Sequence, residues 1–295
     1  MDIGEYQRHS AASDVLPADD LTLTLLGLVG EVGNLSAEYK KQQRDAVGYR
    51  AFRDEVHEEL GDLIWYAAAL ARRCGLDLDE ILSDNLHKTA LRFNRPSSPP
   101  PHHLFDEQSP SGEQFPRQLD ITFVETAEAD RGPRMVPVVR IYRGADAVGD
   151  PLDDNRDDND DYRYHDALHL GHMAVLGWSP TLRGLLGVKR KGNRDADRIQ
   201  DGGRSIALEE GLTAYVFSVA TEHSLFATSD RVPADLIKAC QRMTSHLEVS
   251  ERSAADWEHA ILAGYRAFRE LRDRRGGTLH ADLEARTLTL TPPSS

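Results

Sequence analysis

The chain has 295 residues, enough for two domains, and its composition of 40% hydrophobic and 28% charged residues suits a water-soluble globular protein. The formal net charge of −14 argues against a general nucleic-acid binder, which needs basic surface to displace counterions, but leaves nucleotide chemistry open because a bound metal supplies local positive charge. No apolar run approaches the ~20 residues of a membrane span, and Met1–Glu5 has neither a basic start nor an apolar core. A cytoplasmic protein without a signal peptide or membrane anchor is therefore expected, with Cys74 and Cys240 as two buried structural thiols.

In chain order, a short helix is expected over 4–12, then a loop across Pro17. Asp19 or Asp20 would cap a helix of about 21–41. Gly27, Gly30 and Gly33 interrupt its propensity, which suggests close helix packing there. A second long helix runs from about 50 to 74, stopped by Gly75. Its stretch 63–71 is apolar nearly all round, as expected inside a bundle or at an oligomer interface. A third helix spans about 79–93.

The two long helices carry an acidic constellation. Glu31, Asn34 and Glu38 are three and four apart and share one face; Glu59 and Asp62 do the same on the next helix, with Glu55 a turn earlier and Glu58 adjoining. Carboxylates beside an apolar stripe repel one another and resist burial. A hard divalent cation removes both difficulties, since Mg²⁺ takes oxygen ligands and keeps waters and substrate phosphates in its shell. A solvated acidic face is the plain alternative for either helix alone. On the third helix Asn85, Lys88 and Arg92 share a face that would suit a polyphosphate or simply solvent.

Pro96 to Pro116 holds six prolines and no apolar period, which reads as a linker over 96–116. Beyond it, 118–125 and 135–142 alternate as two strands that would pair across a turn near 128–133. The acidic run 153–161 lacks the glycine and glutamate of a calcium loop and reads as a flexible loop. Helices are expected at about 162–175, 180–186, 201–223, 233–246 and 254–274, with Gly276 and Gly277 ending the last. A hairpin over 278–291 would present Ala281, Leu283, Leu288 and Leu290 inward and close 117–295 into one α+β, mainly helical domain with a small antiparallel sheet.

That second part holds a further polar group. His165 and His169 are four apart, Asp166 and His172 extend their surface, and Glu209 and Glu210 sit inside an otherwise apolar helix. Two histidines and a distant carboxylate can make a second metal site or a closed hydrogen-bonded network; the sequence leaves both open. Lys189, Arg190 and Lys191 form the one dense basic run, suited to a phosphate or to solvent.

With these residues in view, residues 1–95 resemble the MazG-like nucleotide pyrophosphohydrolase family. The features that carry the resemblance are Glu5-Tyr6-Gln7, the run Gly27 to Gly33 containing Glu31, the pair Lys40-Lys41, the run Glu58 to Tyr66, and Asn85-Leu86-His87-Lys88 with Arg92-Phe93, all in the family's order and spacing. Residues 160–220 look like the C-terminal extension of some longer members, for which the resemblance implies no activity. The family implies an all-α N-terminal bundle over 1–95, assembled as a homodimer or homotetramer with sites built across subunits. It implies cleavage of nucleoside triphosphates to the monophosphate and pyrophosphate with Mg²⁺, or Mn²⁺ in its place. Glu31, Glu59 and Asp62 fall on three of the family's four metal positions; Asn34 stands where the fourth is usually Glu, and Glu38 is one turn away to compensate. Glu58 is the candidate base, Lys41, Lys88 and Arg92 the phosphate cations, and Trp65 or Tyr66 a stacking surface for the base. The rival readings are a nucleotide-sensing module with a degenerate site, and a separate metal hydrolase at His165, Asp166, His169, Glu209 and Glu210.

Overall fold

The computed structural model describes residues 1–17, 20–93, 103–130, 134–155 and 159–291, with the side chains of residues 87, 88, 90–93, 130 and 134 outside the description. The chain divides into two compact units, Met1–Phe93 and Asn94–Ser295.

The first unit is all helical: α1 (Ile3–Ser10), α2 (Leu21–Asp45), α3 (Phe52–Arg73) and α4 (Leu78–Phe93). Asp2 caps α1 and Asp20 caps α2, the latter accepting from the Thr22 and Leu23 amides at 2.8 and 3.1 Å; Asp19 lies outside the described residues. Gly75, at φ +66°, stops α3: its amide bonds to the Arg72 carbonyl and that of Leu76 to the Ala71 carbonyl. Gln7 fastens α1 to the turn before α4, donating to the Leu76 carbonyl and accepting from the Leu78 amide, both at 2.9 Å. That amide is one of the donors a helix start leaves unpaired. Asp14 binds Arg72 and Arg73 at 2.9 and 2.6 Å, closing the loop after α1 onto the end of α3.

α2 and α3 pack side by side. Of the three glycines expected at a close approach, only Gly27 meets a neighbour, the Tyr66 ring; Gly30 and Gly33 face open space. Ala68, Ala69 and Ala71 are buried, yet Leu25, Leu26, Val29, Val32, Leu60 and Ile64 are exposed.

The second unit is built on a five-stranded antiparallel sheet in the order β3-β2-β1-β4-β5. Its strands are β1 (Gln118–Asp130), β2 (Arg134–Arg143), β3 (Asp146–Ala147), β4 (Gly276–Asp282) and β5 (Thr287–Leu290). The terminal hairpin joins the first hairpin as expected, with Thr122 opposite both Tyr142 and Thr278. Period-two alternation buries Leu119, Ile121 and Phe123 on β1 and Leu279 and Ala281 on β4. These side chains meet α5 (Asp166–Leu176) and α9 (Ala254–Arg274), around which α6 (Pro180–Leu185), α7 (Gly203–Glu222) and α8 (Ala234–Met243) complete the core. Every residue of α5 is buried, so any polar group on it must find a partner inside.

Four local expectations need correction. Residues 94–102 lie outside the described residues, but the linker does not extend to 116: Leu104 and Phe115 join the core, and Asp106 bonds Arg117 and Arg183. The run 153–161 is anchored rather than loose at its described ends, since Asp154 and Asp161 both pair with Arg163. Gly276 and Gly277 begin β4; the helix stop before them is Arg275, in the left-handed region. Leu290 is half-buried, whereas Ala281, Leu283 and Leu288 do point inward.

Candidate functional site

α2 presents Glu31 and Asn34, and α3 presents Glu58, Glu59 and Asp62. Asn34 Nδ2 donates to Glu31 Oε2 at 2.9 Å. Glu59 is half-buried, and its Oε2 is fully enclosed without a hydrogen-bond partner. Burial pushes the Glu59 carboxyl above its usual range; the charges of Glu31 and Asp62 push the same way, and the nearby Asn34 amide offsets part of the rise. Glu58 and Asp62 are exposed. The groups therefore converge on Glu59, which carries an oxygen with nothing to bind and two like charges nearby. A divalent cation fits that donor set, being all oxygen and short of positive charge.

Glu38 does not take part. It is buried, its Oε1 receives the Lys41 ammonium and its Oε2 receives the Tyr49 hydroxyl. Both oxygens are occupied, so Glu38 does not make up for the carboxylate missing at position 34. Lys41 is held by that pair, while Glu55 and Glu59 are near enough to raise its ammonium pKa further. Trp65 donates from Nε1 to Ser13 Oγ at 2.8 Å and stands edge-on to Tyr66, which ties its ring to its own chain. Asn85 is exposed on α4, and the side chains of Lys88 and Arg92 lie outside the described residues. An open groove of about 510 Å³, lined by Leu35, Tyr39, Lys40, Phe52 and Val56, runs along α2 and α3. Tyr49, across a turn from Glu38, carries no sequence signal for its role.

The second unit brings its histidines and carboxylates together completely. His169 and Glu209 are wholly buried, with His169 Nδ1 3.0 Å from Glu209 Oε1 and His169 Nε2 3.4 Å from Glu210 Oε2. His172 Nδ1 bonds Glu209 Oε1 at 3.2 Å, and Glu209 Oε2 accepts from the Ser179 hydroxyl and the Thr181 amide. His165 stacks on Tyr162, holds the Tyr162 carbonyl through Nδ1 at 2.9 Å, and places Nε2 3.4 Å from Asp166 and 4.0 Å from Glu210. Burial disfavours the charged His169 ring, but Glu209 and Glu210 outweigh it and hold its pKa well above the ordinary value; the same contacts hold the Glu209 carboxyl low. Ser179 and Thr181 were not legible as partners, because they precede Glu209 by 30 and 28 residues.

Among the described residues, His, Asp, Glu and Cys donors within 4.8 Å of one another in threes occur only here: His165, Asp166 and His169, and His169, His172 and Glu209. Glu31, Glu59 and Asp62 are less tightly gathered. Two surface expectations also change. Arg190 is buried against Asp201 and Glu248, both at 2.7 Å, so this member of the basic run is already paired. Cys74 is exposed, whereas Cys240 is buried as expected.

Comparison with known proteins matches both units. Residues 20–95 match the MazG nucleotide pyrophosphohydrolase domain, and residues 100–294 match the MazG C-terminal domain. The gene 37 protein of Mycobacterium phage L5 is 35% identical over 89 residues, which is 30% of this chain and 78% of that protein. No solved structure matches the chain.

Proposed function

The chain belongs to the MazG family, and we propose that its α2–α3 face hydrolyses nucleoside triphosphates, ribo or deoxy, to the monophosphate and pyrophosphate with Mg²⁺. The observation that carries this reading is Glu59 Oε2, enclosed and unpartnered beside Glu31 and Asp62. Those three carboxylates, with the Asn34 amide oxygen, would hold the ion. When bound, Mg²⁺ neutralises triphosphate charge and lowers the pKa of a water in its shell. Glu58, exposed next to Glu59, takes the proton from the attacking water. The water oxygen joins the α-phosphorus, and the bridging oxygen leaves with pyrophosphate. Asn85, Lys88 and Arg92 are assigned to the phosphates, while Lys41 stays on Glu38. Trp65 is left mainly to packing, given its bond to Ser13.

The exposed apolar side chains of Leu25, Leu26, Val29, Val32, Leu60 and Ile64 support a homodimer or homotetramer that covers this face. The test is a panel of nucleoside triphosphates with Mg²⁺ or Mn²⁺, products resolved. Monophosphate and pyrophosphate from a substrate would establish the activity; no cleavage by folded protein would reject it. One observation favours a second reading. Asn34 supplies no charge and occupies a Glu31 oxygen, as suits a site that binds nucleotide and senses it without turnover. Binding without cleavage would select that reading.

A further inference from the structure

We propose that the second unit holds a divalent first-row transition ion, of the Zn²⁺ class, at His165, Asp166 and His169, with Glu210 completing the site.

Four observations support this assignment. His169 is completely buried, yet neither ring nitrogen makes a hydrogen bond, although a carboxylate oxygen lies 3.0 Å from Nδ1 and 3.4 Å from Nε2. The oxygens are close but off the directions a ring N–H requires. A buried imidazole left in that state is costly, and an ion on Nε2 satisfies it directly.

The donor spacing also suits such an ion. Donors about 2.0–2.1 Å from a tetrahedral ion stand roughly 3.3 Å apart. His169 Nε2 to Glu210 Oε2 and His165 Nε2 to Asp166 Oδ1 are both 3.4 Å, and His165 Nε2 to Glu210 Oε2 is 4.0 Å. His165, Asp166 and His169 each offer one donor within 4.8 Å of the other two, so an ion would draw these side chains and Glu210 together on binding.

His165 has its other nitrogen turned to an acceptor: Nδ1 lies 2.9 Å from the Tyr162 carbonyl. A carboxylate or carbonyl behind the imidazole is the usual outer support of a ligating histidine, fixing the tautomer with Nε2 as the lone pair.

The remaining triplet, His169, His172 and Glu209, is not the binding face. Glu209 is saturated by His172, Ser179 and Thr181, and the three side chains have almost no exposure. Glu210, in contrast, is 41% exposed, so ion and water reach the site from its side. Two imidazoles and two carboxylates favour a transition ion over Mg²⁺, which prefers oxygen alone.

The experiment strips the full-length protein with a chelator and titrates it with Co²⁺, then Zn²⁺, reading visible d–d absorption and bound metal per chain. One tight equivalent is expected, with Zn²⁺ displacing Co²⁺. Affinity at this site should fall roughly 100-fold or more in His165→Gln and at least about tenfold in Glu210→Gln. A folded wild type that takes up no tight Co²⁺ or Zn²⁺ overturns the proposal, as does an equivalent unaffected by Glu210→Gln. Should His165→Gln fail to fold, the wild-type stoichiometry and the surface-lying Glu210→Gln still decide.

Discussion

The Tyr66 ring lies across Gly27, and a Cβ added at Gly27 would stand 2.2 Å from the ring's Cε1. α2 and α3 are thereby pressed together one turn before Glu31 on the first helix and one turn after Asp62 on the second. Gly27→Ala should destabilise the N-terminal unit by about 1–3 kcal/mol through overpacking, less the roughly 1 kcal/mol that alanine returns as helix propensity. Gly30→Ala, facing open space, should stabilise it by up to about 1 kcal/mol. Chemical denaturation of the two variants checks both signs; equal effects would mean that the ring does not rest on Gly27.

Asp14 gives the same unit a pH dependence. The guanidinium of Arg73, with Arg72 beside it, holds the Asp14 carboxyl well below its ordinary value against the opposing effect of burial. A depressed folded-state pKa contributes stability that is full above the unfolded carboxylate range and is lost as pH falls through the folded value. Asp14→Asn should therefore cost about 1–3 kcal/mol at neutral pH and progressively less in strong acid. Denaturation midpoints of variant and wild type, followed as the pH is lowered, should converge. A constant gap would mean that the ion pairs contribute nothing.

The helices and the sheet were legible because they rest on periodicity: α9 occupies 254–274 as its pattern indicates, and the strands pair where alternation places them. The acidic and histidine clusters were legible because α-helical spacing alone puts Glu31 with Asn34, and His165 with His169, on shared faces. What sequence could not supply was partnership at a distance. Arg190 meets Glu248 58 residues away, and Arg183 meets Asp106 77 residues away, so a basic run and a proline-rich stretch concealed buried ion pairs. Glu38 looked free because Tyr49 reaches it from beyond the end of α2. Leu104 and Phe115 join the core as isolated apolar residues, with no period to reveal them.

The cysteines separate by environment. Cys240 is enclosed in the second unit, and burial pushes its thiol up to about 12. Cys74 caps the end of α3 in solvent. Near pH 8 the thiolate fraction of Cys240 is roughly three orders of magnitude below that of an ordinary thiol. Alkylation of native protein should label Cys74 first, with Cys240 reacting only after denaturation. Mass mapping of the labelled peptides distinguishes them, and rapid labelling of Cys240 would show that its helix opens readily.

Position 34 decides between the two readings of the N-terminal site. Glu59→Gln should lower turnover about 100-fold or more with the fold retained, if Glu59 holds the reacting centre. Asn34→Glu tests the other direction. Without metal it adds a third like charge beside Glu31 and Glu59 and removes the hydrogen bond to Glu31, so the unit should become less stable. With Mg²⁺ the same charge becomes attractive. Two unit charges 4 Å apart are worth about 1 kcal/mol in water and about 4 at an effective dielectric near 20, so Mg²⁺ affinity should rise by roughly one order of magnitude or more. Calorimetric titration and thermal melts with and without Mg²⁺ measure both arms. If wild type and variant cleave nucleotide at similar rates, Asn34 is a tolerated ligand in a working hydrolase. If only the variant cleaves, Asn34 is what withholds turnover in the wild type.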